Sequence, residues 1–274
     1  MREMIINPEA DLNYIAGDLE KEIDIQMWQQ AVINYNIHLR TSVFTKHHNP
    51  KYEHELVRTL DIGGISQLLS EGLVVEIDYL DGDLTKNPKS RGCPDLVHMC
   101  YIGKGIVKDE RRQGYSDSKI YYDFNGGGIE MKATGGTIKN QETLKIEPRL
   151  PNLSSSISFH AHHTNTKVLM GIFWDFSLYG IPQIKIMFFG NKIDKSCWLP
   201  LSVKNESSST NSTSLNVKGT TMMKSNIILI THEQEYIDWM NEMTKKYSYL
   251  PVGAKIRASI FPKNLIHEQY EISL

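Results

Sequence analysis

The amino-acid sequence predicts an α/β protein, on three observations. Apolar residues recur at helical spacing near the N-terminus and again after residue 231. The middle of the chain is filled with short β-type runs broken by glycine and polar turns. Val168 to Phe176 is an almost unbroken apolar stretch, as expected of a strand covered on both faces.

The elements follow in order. Glu20 to Leu39 reads as a helix, because Ile23, Met27, Trp28, Ala31, Val32 and Tyr35 recur three and four apart. A second helix is expected over about Tyr52 to Ser70, with Leu56, Leu60, Ile65, Leu68 and Leu69 on its apolar side and Gly63-Gly64 as a break. Val74, Val75, Ile77 and Tyr79 suggest a short strand, and Asp81-Gly82-Asp83 a turn. Leu96 to Ile102 is a candidate strand, Lys108 to Gln113 a charged loop or hairpin tip. Ile120 to Phe124 and Ile129 to Ala133 are strands on either side of Asn125-Gly126-Gly127-Gly128. Residues 139–158 have mixed character and include a possible crossing helix. After the apolar strand, Ile184 to Phe189 forms another, entered through Pro182. Residues 202–220 are rich in Ser, Thr and Asn and read as a flexible or ligand-ordered loop. Ile227 to Ile230 is a short strand. Thr231 and Gln234 then make a capping box for a helix from Glu233 to about Tyr247, and Lys255 to Phe261 is β-like.

The 274 residues suffice for one large domain, and no linker divides them. No apolar window reaches the length of a membrane span, and acidic residues instead of an apolar run follow Met1. Cytoplasmic residence is the resulting expectation. Cys93, Cys100 and Cys197 are too few and too irregularly spaced for a disulfide framework or a zinc site, so buried free thiols are expected. A net charge of −2 argues against a strongly basic coat protein for nucleic acid. The distribution matters more than the sum. Residues 86–119 carry eight Lys or Arg against four acids, and residues 184–224 carry six lysines against Asp194 and Glu206.

The chemistry concentrates in two segments. Gly92-Cys93-Pro94-Asp95-Leu96-Val97 puts a carboxylate where an extended segment begins. Gly128-Ile129-Glu130-Met131-Lys132-Ala133 puts a carboxylate and an amine two residues apart. On a strand such residues share a face, so Glu130 and Lys132 project together while Ile129, Met131 and Ala133 face the core. If the Asp95 segment pairs with that strand, Asp95 completes a three-point cluster. Two carboxylates suit a hard cation such as Mg²⁺, and an ammonium beside them suits a phosphoryl group that gains charge.

Pro94-Asp95 followed by Glu130-Met131-Lys132 after a glycine-rich turn resembles the signature of the PD-(D/E)XK nuclease superfamily, and the size and strand-rich centre resemble a type II restriction endonuclease. The resemblance implies a central mixed β-sheet flanked by helices, a restriction-endonuclease-like core with insertions. It implies Mg²⁺-dependent cleavage of double-stranded DNA leaving 5′-phosphate and 3′-hydroxyl ends. Asp95 and Glu130 take the metal positions and Lys132 the catalytic lysine position. The 34 residues from 96 to 129 must then hold an insertion around 103–119. Family members often add a carboxylate from an upstream helix, for which Glu53 and Glu55 are candidates and Glu55 the choice. The whole chain, 1–274, is then a single nuclease domain: a helical part over about 1–72, a catalytic sheet core over about 73–200, and an elaboration over about 201–274.

Candidate DNA contacts are Lys89 and Arg91 beside Pro94-Asp95, the cluster His160, His162 and His163, and the following Asn165 and Lys167. Lys204 and Lys218, with Lys185, Lys192, Lys195 and Lys224, flank the polar stretch, and Arg111 and Arg112 lie in the expected insertion. Asp175 is either a further acid near the active centre or a turn cap. A palindromic duplex as substrate implies a homodimer. The alternatives are a DNA repair or junction-resolving nuclease and, from another class, a nucleic-acid-binding module without catalysis.

Overall fold

The computed structural model of the chain describes residues 4–16, 19–43, 61–87, 94–98, 128–135, 158–160, 163–164, 166–177, 181–201 and 212–239. The protein is α/β, with a seven-stranded mixed sheet packed against helices. We number the strands β1 (Met4–Ile6), β2 (Asn13–Ala16), β3 (Leu19–Glu22), β4 (Leu84–Lys86), β5 (Leu96–His98), β6 (Gly128–Thr134), β7 (Ser158–His160), β8 (Leu169–Phe176), β9 (Pro182–Gly190), β10 (Ser212–Ser214) and β11 (Ile227–Thr231). The main sheet runs β1-β11-β9-β8-β6-β5-β4, and every neighbouring pair is antiparallel except β6 and β8. The hairpin β2–β3 and the pair β7–β10 are separate two-stranded ribbons.

One face of the sheet is covered by helices α1 (Ile25–His38) and α2 (Ile62–Leu80). From α1 come Trp28, Ala31, Val32 and Tyr35, from α2 Ile65, Leu69, Leu73 and Ile77, all fully or nearly buried. They meet Ile129 and Met131 of β6 and Met170, Ile172 and Trp174 of β8. On the opposite face Leu169, Phe173, Ile186 and Phe188 pack with Cys197, Trp198, Tyr236 and Met223, the last from helix α3 (Val217–Ser225). Both faces of β8 are therefore covered, which accounts for its unbroken apolar sequence.

Several sequence expectations need correction. The first helix begins at Ile25, where Asp24 caps it by accepting the Gln26 and Met27 N–H groups, and Leu19–Glu22 is a strand. Three strands in the N-terminal part mean that it is not purely helical, and β1 forms an edge of the main sheet. Val74 to Tyr79 is helix, not strand. The spacing Leu69, Leu73, Ile77 carries α2 through to Leu80. Gly63 and Gly64 do not break it but lie in its first turn, where the capping carboxylate of Asp61 accepts the Gly64 N–H. Within the expected polar loop, Ser212–Ser214 is a strand paired with Ser158–His160, and Val217–Ser225 is a helix capped by Asn216. Thr231 ends β11 instead of capping the last helix, whose described turn covers residues 234–239.

Other expectations agree with the structure: the strands at 96, 129, 168 and 184, the Asp81–Asp83 turn, and a buried Cys197 thiol. The elements expected over 52–60, 99–102, 108–113, 120–124, 139–157, 240–247 and 255–261, together with Cys93, Cys100, Arg111 and Arg112, lie outside the described residues. No helix among the described residues is long and apolar enough to cross a membrane.

Candidate active site

The site forms where β5 meets β6. Leu96 pairs with Ile129 and Val97 with Gly128, so Asp95 falls opposite Glu130 on the same face. Pro94-Asp95 is fastened on both sides. The Asn87 side-chain amide donates to the Pro94 carbonyl (2.9 Å), and the Asn87 N–H to the Asp95 carbonyl (2.8 Å). On the other side Asp95 Oδ2 accepts the Met131 N–H at 2.8 Å. Gly128 is needed for this approach, because a Cβ there would collide with the Leu96 carbonyl and the Pro94 ring.

Strand alternation gives the rest. Ile129 and Met131 are buried in the helix-covered core, Ala133 packs against it, and Glu130 and Lys132 share the opposite face. Lys132 Nζ lies 3.1 Å from Glu130 Oε1. The same oxygen is 2.6 Å from His163 Nε2. Glu130 and His163 are almost fully buried, at 2 % and 3 % side-chain exposure, whereas Lys132 keeps 28 %. Glu130 Oε2 is buried and has no hydrogen-bond partner among the described residues. An unpartnered buried carboxylate oxygen is costly and calls for a ligand.

The two carboxylates are electrostatically opposed. Burial, then the neighbouring Glu130 charge, push the Asp95 carboxyl up to about 8, against the opposing pull of the Met131 N–H and the Lys132 ammonium. Burial would also raise Glu130, but the His163 hydrogen bond and the charge of Lys132 outweigh it and hold Glu130 below the usual carboxylate range. Glu71, on α2, adds to the negative potential at Asp95. Its Oε2 is 2.7 Å from Lys86 Nζ on β4. Glu71 is a helix carboxylate near Asp95 that the sequence analysis did not single out. Glu53 and Glu55, favoured there, lie outside the described residues.

The donor set suits a hard divalent cation. Asp95 and Glu130 offer carboxylate oxygens, one of them orphaned, and among the described residues no sulfur or imidazole competes at that oxygen. Among the described residues no three His, Cys, Asp or Glu side chains close into a metal cage. The two carboxylates present are as many as Mg²⁺ commonly uses, since it fills its remaining positions with water and phosphate oxygens.

Comparison of the chain with family models, curated proteins and solved structures finds no match. The assignment of the site therefore rests on the geometry of its own residues.

The remaining sequence candidates divide. His163 does not face a groove but is buried against Glu130. Lys167 is exposed, two residues ahead of the Leu169 that pairs with Glu130, and so stands at the same end of the sheet. Lys218 is exposed and bridges Asp194 Oδ2 at 3.0 Å, and Lys192 pairs with Asp11 at 2.9 Å. Lys185 is buried, 2.6 Å from Glu233, and cannot reach DNA. Asp175 accepts from the Tyr236 hydroxyl and the Phe176 N–H. It lies six residues along β8 from Leu169, or about 20 Å at strand rise, so it is no part of the centre. Lys89, Arg91, His162, Asn165, Lys204 and the His160 side chain lie outside the described residues.

Proposed function

We propose that the chain is a Mg²⁺-dependent endonuclease that hydrolyses phosphodiester bonds of double-stranded DNA at a specific sequence, leaving 5′-phosphate and 3′-hydroxyl ends. The observation that carries this is the convergence of Asp95, Glu130 and Lys132, with Glu130 Oε2 buried and lacking a partner among the described residues. Asp95 and Glu130 would hold the cation. When bound, Mg²⁺ supplies Lewis acidity at a phosphoryl oxygen. Lys132, the more exposed member, offers an ammonium to the scissile phosphate and orients the attacking water for in-line displacement. Exposed Lys167 at the same sheet end offers a further cation for the DNA backbone.

The test is incubation of the purified protein with a long plasmid of known sequence, with Mg²⁺ or Ca²⁺, followed by end-sequencing of the products. Discrete fragments with one recurring terminal sequence in Mg²⁺ only are expected. Lys132→Ala should lower the single-turnover cleavage rate by about 10²–10³-fold, while duplex affinity in Ca²⁺ changes only a few-fold. Cleavage confined to branched or damaged substrates would replace this reading by a repair or junction-resolving enzyme. Binding with no cleavage under any divalent ion would replace it by a non-catalytic binding module.

A further inference from the structure

His163 belongs to the histidine cluster that sequence reading assigns to DNA, yet its imidazole is enclosed and directed at Glu130. Its backbone carbonyl accepts the Thr166 N–H at 2.9 Å, in the turn that leads into β8. β8 in turn lies parallel to β6, with Glu130 opposite Leu169 and the Glu130 N–H donating to the Val168 carbonyl. A short connection thus fixes the ring relative to the carboxylate. A 2.6 Å hydrogen bond joins His163 Nε2 to Glu130 Oε1.

Lys132 reaches the same Oε1 from solvent at 3.1 Å. Both donors load one oxygen and leave Oε2 bare. Among the described residues, without His163 the Glu130 carboxylate would have the more exposed Lys132 alone to set its rotation, and on the proposed reading Lys132 is needed at the phosphate. The His163 imidazole is buried, and its backbone is tied into the turn before β8.

We propose that His163 is a positioning residue that fixes the Glu130 carboxylate so that Oε2 is presented to the divalent cation. This rests on the metal-site reading of Asp95 and Glu130, and deepens it by adding the group that holds one ligand in place. Partners of metal ligands that act in this way change metal affinity by about 10- to 100-fold when removed.

The experiment measures Mn²⁺ binding, by the loss of the free-ion paramagnetic resonance signal, to wild type, Glu130→Gln, His163→Gln, His163→Asn and His163→Phe, all without DNA. The Gln amide nitrogen reproduces the reach of Nε2, whereas the Asn amide is too short for Glu130. Mn²⁺ affinity should fall about 10- to 100-fold in His163→Asn and His163→Phe and stay within a few-fold of wild type in His163→Gln. Far-ultraviolet circular dichroism checks the fold of each. If Phe does not fold, the Gln–Asn contrast carries the test. Equal affinity in Gln and Asn, or wild-type affinity in Phe, overturns the proposal. Wild-type Mn²⁺ binding that is lost in Glu130→Gln, combined with no DNA cleavage, overturns the nuclease reading and leaves the His163 proposal standing. If wild type binds no Mn²⁺, both fall.

Discussion

Asp95 and Glu130 share one site but are driven in opposite directions, because their donors differ. Glu130 receives His163 and Lys132, while Asp95 receives the Met131 N–H and lies beside the Glu130 charge. Asp95 therefore holds a proton up to about pH 8 in the metal-free fold, whereas the unfolded chain releases it near its ordinary value. Between those two values the folded state binds more protons than the unfolded state, so stability falls as pH rises. The contribution is intact below about pH 4 and fully lost above about pH 8. Asp95→Asn removes the titration and keeps an oxygen acceptor for the Met131 N–H. Thermal unfolding in chelator should show wild type losing ground to Asp95→Asn steadily from pH 5 to 8, by several degrees, and then levelling. Saturating Mn²⁺ should abolish the slope by binding the ionised form. Parallel curves for the two proteins across that range would refute this account.

Strand β6 is the element on which the site depends, and Gly128 is its most constrained position. A side chain there meets the Leu96 carbonyl and the Pro94 ring, so Gly128→Val must push the Pro94-Asp95 segment away from Met131. We expect destabilisation of about 1–3 kcal/mol with the helical content retained. Mn²⁺ affinity should drop to the level of Asp95→Ala, measured by titration; wild-type affinity would show that β5 need not approach β6. The alternation of β6 and the continuous apolar run of β8 were legible in the sequence because each pattern is local and repeats. Val74-Val75-Glu76-Ile77 misled for the opposite reason. β-branched residues suggested a strand, but the apolar spacing of Leu69, Leu73 and Ile77 and the Asp61 cap decided for helix. β1 and β3 are only three and four residues long, too short for any periodicity, and β1 pairs with β11 across more than 200 positions of sequence. The proximity of Glu71 to Asp95 and the pairing of His163 with Glu130 were illegible for the same cause. Only the packing of α2 near β4 and of the turn before β8 against β6 brings them there.

At the scale of the whole molecule, charge is divided between two buried clusters with different duties. Lys185, Glu233, Tyr236 and Asp175 satisfy one another at one end of the sheet, so a lysine that read as DNA-facing is spent on joining β9 to the turn over 234–239. The site at β5–β6 instead leaves one carboxylate oxygen open and one lysine half in water. Each chain carries one such cluster among its described residues. A duplex offers two scissile phosphates, one per strand, related by a two-fold axis when the sequence is palindromic. On the proposed nuclease reading, a chain with one such centre that cuts both strands at once acts as two copies. On that reading, mixing wild type with an excess of Lys132→Ala and allowing the subunits to exchange should give dimers with one live centre. Under single-turnover conditions on supercoiled plasmid, these should accumulate nicked circles while wild type alone yields linear DNA directly. The linear product should fall as the square of the wild-type fraction and the nicked product should rise with the mixed species. A simple linear dilution of double-strand cutting, with no nicked excess, would mean that one chain cuts both strands in turn and that the two-fold arrangement is wrong.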